Sequence, residues 1–145
     1  MAKWQRRKFI LGLASLTLAG PAIAADKIKL DAASALIVVG VQNCFLPGGS
    51  LAVRDGDQVI PVINRIAKGF ITVVITQDWH TPHHVSFASS HPGKKPFDII
   101  KLPYGDQMLW PDHCVQGSEG AQIAKDLDIA NAALIVRLGS NRDMD

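Results

Sequence analysis

Phe70-Ile-Thr-Val-Val-Ile75 is a continuous apolar run, rich in β-branched residues, that leads directly into Thr76-Gln-Asp-Trp-His80. Such a run, opened by Gly69 and followed by polar residues, reads as a strand buried on both faces. Ala35-Leu-Ile-Val-Val39, closed by Gly40, and Ala133-Leu-Ile-Val136 have the same character. Between the first two, Asp57 to Lys68 places Val59, Ile60, Ile63, Ile66 and Ala67 at helical spacing, with Pro61 tolerated in the first turn. Leu46-Pro-Gly-Gly-Ser50 is a loop by its turn residues, and Gly120 to Leu127 reads as a short helix. Buried runs alternating with helices predict an α/β fold with a parallel sheet and right-handed crossovers.

Ligands in such sheets bind beyond the carboxyl ends of the strands. Gly40, Asp78 and Leu138 all fall there, so one pocket is expected to gather them. The segment from Thr76 to Gly120 is rich in Pro, His, Gly and Ser, and loops of that length inside a compact domain are usually functional. Asp78 and His80, two apart at a strand's end, can point the same way. With His113, from Leu109-Trp-Pro-Asp-His-Cys114, they form a carboxylate and two imidazoles suited to one divalent ion of the Zn, Mn or Fe type. His84 is either a further ligand or an outer partner of one, whereas His83 and His91 read as solvated loop residues. Phe45 and Trp110, near the same pocket, suit the walls of a flat aromatic ligand as well as core positions.

The chain has 145 residues, which bounds it at one domain, and its 48% hydrophobic and 19% charged residues are ordinary for a globular protein. A net charge of +2, with Lys3, Arg6, Arg7 and Lys8 at the very start, leaves no electrostatic case for nucleic acid. Those basic residues, the apolar stretch from Phe9 to Ala19 and Pro21-Ala-Ile-Ala24 predict a bacterial export signal over residues 1–24. Arg6-Arg7-Lys8-Phe9 is twin-arginine-like, and the apolar stretch is too short for a stable membrane anchor. The expectation is a periplasmic or secreted domain over residues 25–145. Cys44 and Cys114 are the only cysteines; an oxidising compartment permits a bridge, and spacing alone leaves it open. Cys114 beside His113 invites a nucleophile reading, but a single thiol next to a ligand is more often structural, and Cys44 has no neighbouring base to form its thiolate.

Three blocks in order resemble the bacterial nicotinamidase/pyrazinamidases, members of the isochorismatase-like hydrolases. They are Ala35 through Val53 with its Val-Gln-Asn-Cys-Phe-Leu-Pro-Gly-Gly core, Thr76-Gln-Asp-Trp-His80 with His84-Val-Ser-Phe-Ala88, and Leu109-Trp-Pro-Asp-His-Cys-Val-Gln-Gly117. The resemblance implies a three-layer α/β/α fold with a parallel sheet, here incomplete at the C-terminus. It implies hydrolysis of nicotinamide to nicotinate and ammonia, as in NAD salvage, with Asp78, His80 and His113 as metal ligands and Phe45 and Trp110 sandwiching the ring.

The departures from that pattern are severe. The family has Asp where this chain has Gly40, Lys where it has Leu138, and Asp where it has Cys44. The family's nucleophilic Cys lies in a segment beyond Asp145, so the chain is expected to be truncated relative to the family. With the Asp, Lys and Cys of the triad missing, the resemblance implies a catalytically inactive protein with no catalytic residue of its own. The alternatives are a non-enzymatic module binding a divalent metal and nicotinamide, or a gene fragment without function.

Overall fold

The computed structural model describes residues 29–145, so the expected export signal over residues 1–24 lies outside the described residues. Three parallel strands form the main sheet: β1 (Ala35–Val39), β2 (Thr72–Asp78) and β5 (Ala132–Leu138), in the order β1-β2-β5. Helix α1 (Val59–Ala67) connects β1 to β2, preceded by a short 3-10 turn at Gly56–Gln58. A two-stranded antiparallel hairpin, β3 (Ile99–Leu102) and β4 (Gly105–Met108), interrupts the long segment.

The pairing shows which side chains share a face. Leu36 is paired with Val73, and Val38 with Ile75, so these four point to one side of the sheet. That side is covered: Val38, Val73 and Ile75 pack with Ile60 and Ala67 of α1 and with Ala124 and Leu127. Ile75 is almost wholly buried, and truncating it to Ala would cost roughly 2–5 kcal/mol through lost transfer energy and the cavity left behind. The opposite side carries Ile37, Val39, Val74, Leu134 and Val136, with Ile37 61% and Val39 71% exposed.

Several expectations need correction. The three strands are not buried on both faces, because among the described residues only one face has a covering layer. Strand β2 begins at Thr72 rather than Phe70 and runs on to Asp78; β5 extends from Ala132 to Leu138. Gly120 to Leu127 is not a helix. Its backbone is committed elsewhere: Asn43 N–H donates to Gln122 O, Cys44 N–H to Gly120 O, and Ala124 N–H to Val41 O. A backbone paired with residues 41–44 cannot close helical hydrogen bonds of its own.

Candidate functional site

The site is built where β2 ends. Asp78 closes the strand, and the chain continues through Trp79 to His80, whose backbone is strapped to the distant His113 segment. His80 N–H donates to Cys114 O at 3.0 Å, and Gln116 N–H donates to His80 O at 2.8 Å. A second strap joins Ala88 N–H to Trp110 O and Trp110 N–H to Ser86 O, both at 2.8 Å. The hairpin β3–β4 thus returns the chain so that Trp110 and His113 face β2.

The structure brings Asp78, His80 and His113 together: one ligand atom from each lies within 4.8 Å of the others. Both imidazoles are buried, at 4% and 6% exposure, and Asp78 is half-buried. Each ring is held through Nδ1. That of His113 lies 2.8 Å from Pro111 O and that of His80 3.2 Å from Gly139 O. A carbonyl can only accept, so each Nδ1 carries the proton and each Nε2 keeps a free lone pair. Burial pushes the His80 pKa below its ordinary value, with His113 and then His84 adding to the effect. This donor set, two neutral imidazoles and a carboxylate with orienting carbonyls behind the rings, fits a divalent metal ion.

His84 is fully buried and its ring centroid lies 4.6 Å from that of His80. Its Nε2 donates to Asn141 O and its Nδ1 accepts from Ser86 Oγ, each at 2.8 Å. Both nitrogens are therefore occupied, which fits an outer partner better than a ligand, although its ring also lies within reach of His80 and Asp145. His83 is exposed, as expected; His91 is half-buried and donates from Nε2 to Val85 O at 2.7 Å.

Phe45, Asp78, His80, Trp110, His113 and Leu138 line one pocket of about 430 Å³, together with Leu51, Gly139 and Asp145. The Phe45 ring stands 5.7 Å from His113, tilted, and Trp110 meets Phe97 edge-on. Gly40, expected in the same pocket, does not line it: it follows β1 in a left-handed conformation, φ +59°, and lines a separate cavity on which Phe45 also borders. Leu138 is paired with Asp78 across the β2–β5 ladder.

Two features escaped the sequence reading. Cys44 and Cys114 are joined in a disulfide, buried against Ala121 and flanked by Phe45 and Trp79. The bridge ties the residue beside Phe45 to the residue beside His113. Gln42 is the other: its side chain, fully buried, holds the Asp78 backbone. Its place two residues past Gly40 was the only signal, and a polar residue there reads as loop.

No family model matches the chain. It is 59% identical over 111 residues to a nicotinamidase of Acinetobacter baylyi, covering 77% of this chain and 52% of that protein. The structure matches a nicotinamidase/pyrazinamidase from Acinetobacter baumannii with a TM-score of 0.77 and 54% identity, over 79% of this chain and 55% of that one. The chain belongs to the nicotinamidase/pyrazinamidase family. Its parallel sheet is that of the isochorismatase-like α/β fold. A further neighbour is a Pyrococcus horikoshii pyrazinamidase solved in complex with zinc, at 35% identity and a TM-score of 0.57, over 77% of this chain and 54% of that one. The chain spans about half the length of the curated nicotinamidases it matches. Among the described residues, no helix is long and apolar enough to cross a membrane.

Proposed function

We propose that this nicotinamidase-family chain retains the metal and nicotinamide site but by itself does not hydrolyse the amide. The observation that carries the proposal is the content of one pocket. Asp78, His80 and His113 converge there with both Nε2 atoms free, and the pocket lining includes Phe45 and Trp110 but no cysteine. The only two cysteines of the chain are bonded to each other, so neither can form a thiolate while the bridge is intact.

The division of labour follows from chemistry. A bound Zn²⁺, Mn²⁺ or Fe²⁺ supplies a Lewis acid that holds and polarises a ligand. Asp78, His80 and His113 would hold it, with the carbonyls of Pro111 and Gly139 fixing the two rings. Phe45 and Trp110 offer apolar faces to a flat pyridine ring, which explains nicotinamide rather than an aliphatic amide as ligand. The triad positions carry Gly40 and Leu138, which can neither take up nor deliver a proton. Losing members of such a unit typically lowers the rate by roughly four to six powers of ten.

The domain works outside the bacterial cytoplasm in this reading. The basic, apolar and small-residue succession of residues 1–24 and the buried disulfide both suit an exported protein. Fractionating cells and finding the protein with its leader intact in the cytosol would overturn export.

Calorimetry with Zn²⁺, Mn²⁺ or Fe²⁺, then with nicotinamide, tests the binding site. Near-stoichiometric binding is expected, and it should disappear in Asp78→Ala, His80→Ala and His113→Ala. Ammonia release from nicotinamide by the metal-loaded chain is expected to stay at the buffer rate. Equal metal binding in the three variants would refute the site, and turnover would refute the loss of hydrolysis.

A further inference from the structure

Phe45 and His113, a wall and a candidate ligand of the metal pocket, are each the immediate neighbour of a bridged cysteine. The Cys44–Cys114 bridge therefore ties the two segments together where each enters the pocket. Cys44 O accepts from Leu51 N–H at 2.9 Å, so a second wall residue hangs on the same segment. Cys114 O accepts from His80 N–H at 3.0 Å, which joins the bridge to the other imidazole. Cys114 also has φ +46°, a left-handed conformation that residues with a Cβ rarely adopt. A strained residue directly after a ligand keeps that conformation only while its surroundings hold it, and the crosslink is one of the holds.

The bridge borders a second cavity, of about 650 Å³, lined also by Asn43, Gly49, Ser50, Asp112 and Glu119. This cavity shares only His113 with the metal pocket. Both cysteines line it, although each keeps only 1% exposure. A small thiol that enters there comes to the sulfurs without crossing the metal pocket. The exchange is balanced: one dithiol gives up two electrons and two protons, the S–S bond opens to two Cys thiols, and the reductant leaves as its own disulfide. Asp78, His80 and His113 take no part in it.

We propose that the Cys44–Cys114 bridge is a redox switch on metal occupancy. Closed, it holds Phe45 and His113 in register with Asp78 and His80; open, it frees both segments and the site gives up its ion. The switch rests on the pocket's reading as a metal site and adds its regulation. Coupling between two sites is reciprocal at equilibrium. If opening the bridge weakens metal binding tenfold, a bound ion makes the bridge tenfold harder to reduce, a shift of about 30 mV for a two-electron couple. A bridge that only staples the fold gives no such shift while the reduced chain stays folded. The chain thus takes up its ion in oxidising surroundings and yields it in reducing ones.

The test titrates the chain with Mn²⁺, a hard ion that freed thiols hold poorly, in dithiothreitol buffers of graded reduced-to-oxidised ratio. The oxidised chain is expected to bind Mn²⁺ at least tenfold more tightly than the reduced chain. Saturating Mn²⁺ should move the midpoint of bridge reduction lower by about 30 mV or more. In the reduced chain, amide hydrogens of His113 to Gln116 should exchange at least tenfold faster, while those of β2 keep their protection. Cys44→Ser with Cys114→Ser should bind Mn²⁺ like the reduced parent and ignore the buffer ratio. Tight Mn²⁺ binding with an unmoved midpoint would overturn the switch and leave the metal site standing, whereas an oxidised chain that binds no Mn²⁺ would overturn both. Loss of protection throughout β2 on reduction would also overturn the switch, because unfolding would then be what releases the ion.

Discussion

Gln42 clamps the backbone of Asp78 from both sides. Its Oε1 accepts from Asp78 N–H at 2.7 Å, and its Nε2 donates to Asp78 O at 2.8 Å and to Ala121 O at 2.9 Å. A carboxylate ligand at the end of a strand is only as well placed as its backbone, and this buried amide fixes it from the loop that follows β1. Gln42→Ala leaves polar groups of Asp78 without partners, at about 1–3 kcal/mol for each buried group left unsatisfied. The expected outcome is a lower urea midpoint and metal affinity reduced about 10–100-fold, as for other residues behind a ligand. Gln42→Glu keeps the acceptor but loses both donated bonds, so it should fall between parent and Ala variant in the same titrations. Unchanged metal affinity in Gln42→Ala would show that the clamp plays no part in placing Asp78.

Gly139 stands behind His80 in the same way. It adopts φ +65°, and a Cβ there would collide with the His80 ring, whose Nδ1 its carbonyl holds. Gly139→Ala therefore combines left-handed strain of about 1–2 kcal/mol with displacement of a ligand ring. Metal affinity is expected to fall at least tenfold by calorimetry while the far-ultraviolet circular dichroism is retained. Gly93→Ala also has positive φ but nothing near its Cβ, and should cost stability without touching metal affinity.

The sequence made β1, α1 and the Asp78, His80, His113 cluster legible because each has a local signature. An apolar β-branched run, a helical spacing ended by Gly69, and ligand-type residues just past a strand need no knowledge of the rest of the fold. The failures share the opposite property. Ala121, Ala124 and Leu127 have helical spacing, yet bonds to residues 41–44 take their backbone, and those partners are distant in sequence. Gly105-Asp-Gln-Met108 lacks the apolar alternation of a strand and pairs only because the Pro103-Tyr104 turn folds it onto Ile99–Leu102. Leu134 and Val136 read as doubly buried because an apolar run reports what a strand can bury, not whether a cover is present. The disulfide was beyond reach for a related reason: pairing Cys44 with Cys114 needs the two loops already brought together.

Metal-free protein should lose stability as pH falls through the histidine range, and His80 supplies the sign. Burial holds its folded pKa below the ordinary 6.5, so the unfolded chain binds the proton more readily. The contribution is fully present above about pH 6.5 and is lost progressively as pH drops toward the depressed folded value. Urea unfolding of the parent and His80→Gln between pH 7.5 and 5 measures it. The parent should show the steeper decline, and parallel curves for the two proteins would remove His80 as the cause.

Reduction of the Cys44–Cys114 bridge should loosen the site as well as the fold. The cysteines are 70 residues apart, and closing a loop of that length lowers the entropy of the unfolded chain by the equivalent of about 4 kcal/mol at room temperature. In a domain with one open sheet face, that is a large share of a typical net stability of about 5–15 kcal/mol. The bridge also joins the segments that carry Phe45 and His113, so its loss frees one pocket wall and one metal ligand at once. Cys44→Ser with Cys114→Ser is expected to lower the thermal midpoint by at least 10 °C, in line with about 4–8 °C per kcal/mol for a small domain. Metal affinity measured below that midpoint should fall by about tenfold or more. A double variant that unfolds at the parent's temperature would mean that the bridge is dispensable, and one that is less stable but binds metal equally well would confine its role to the fold.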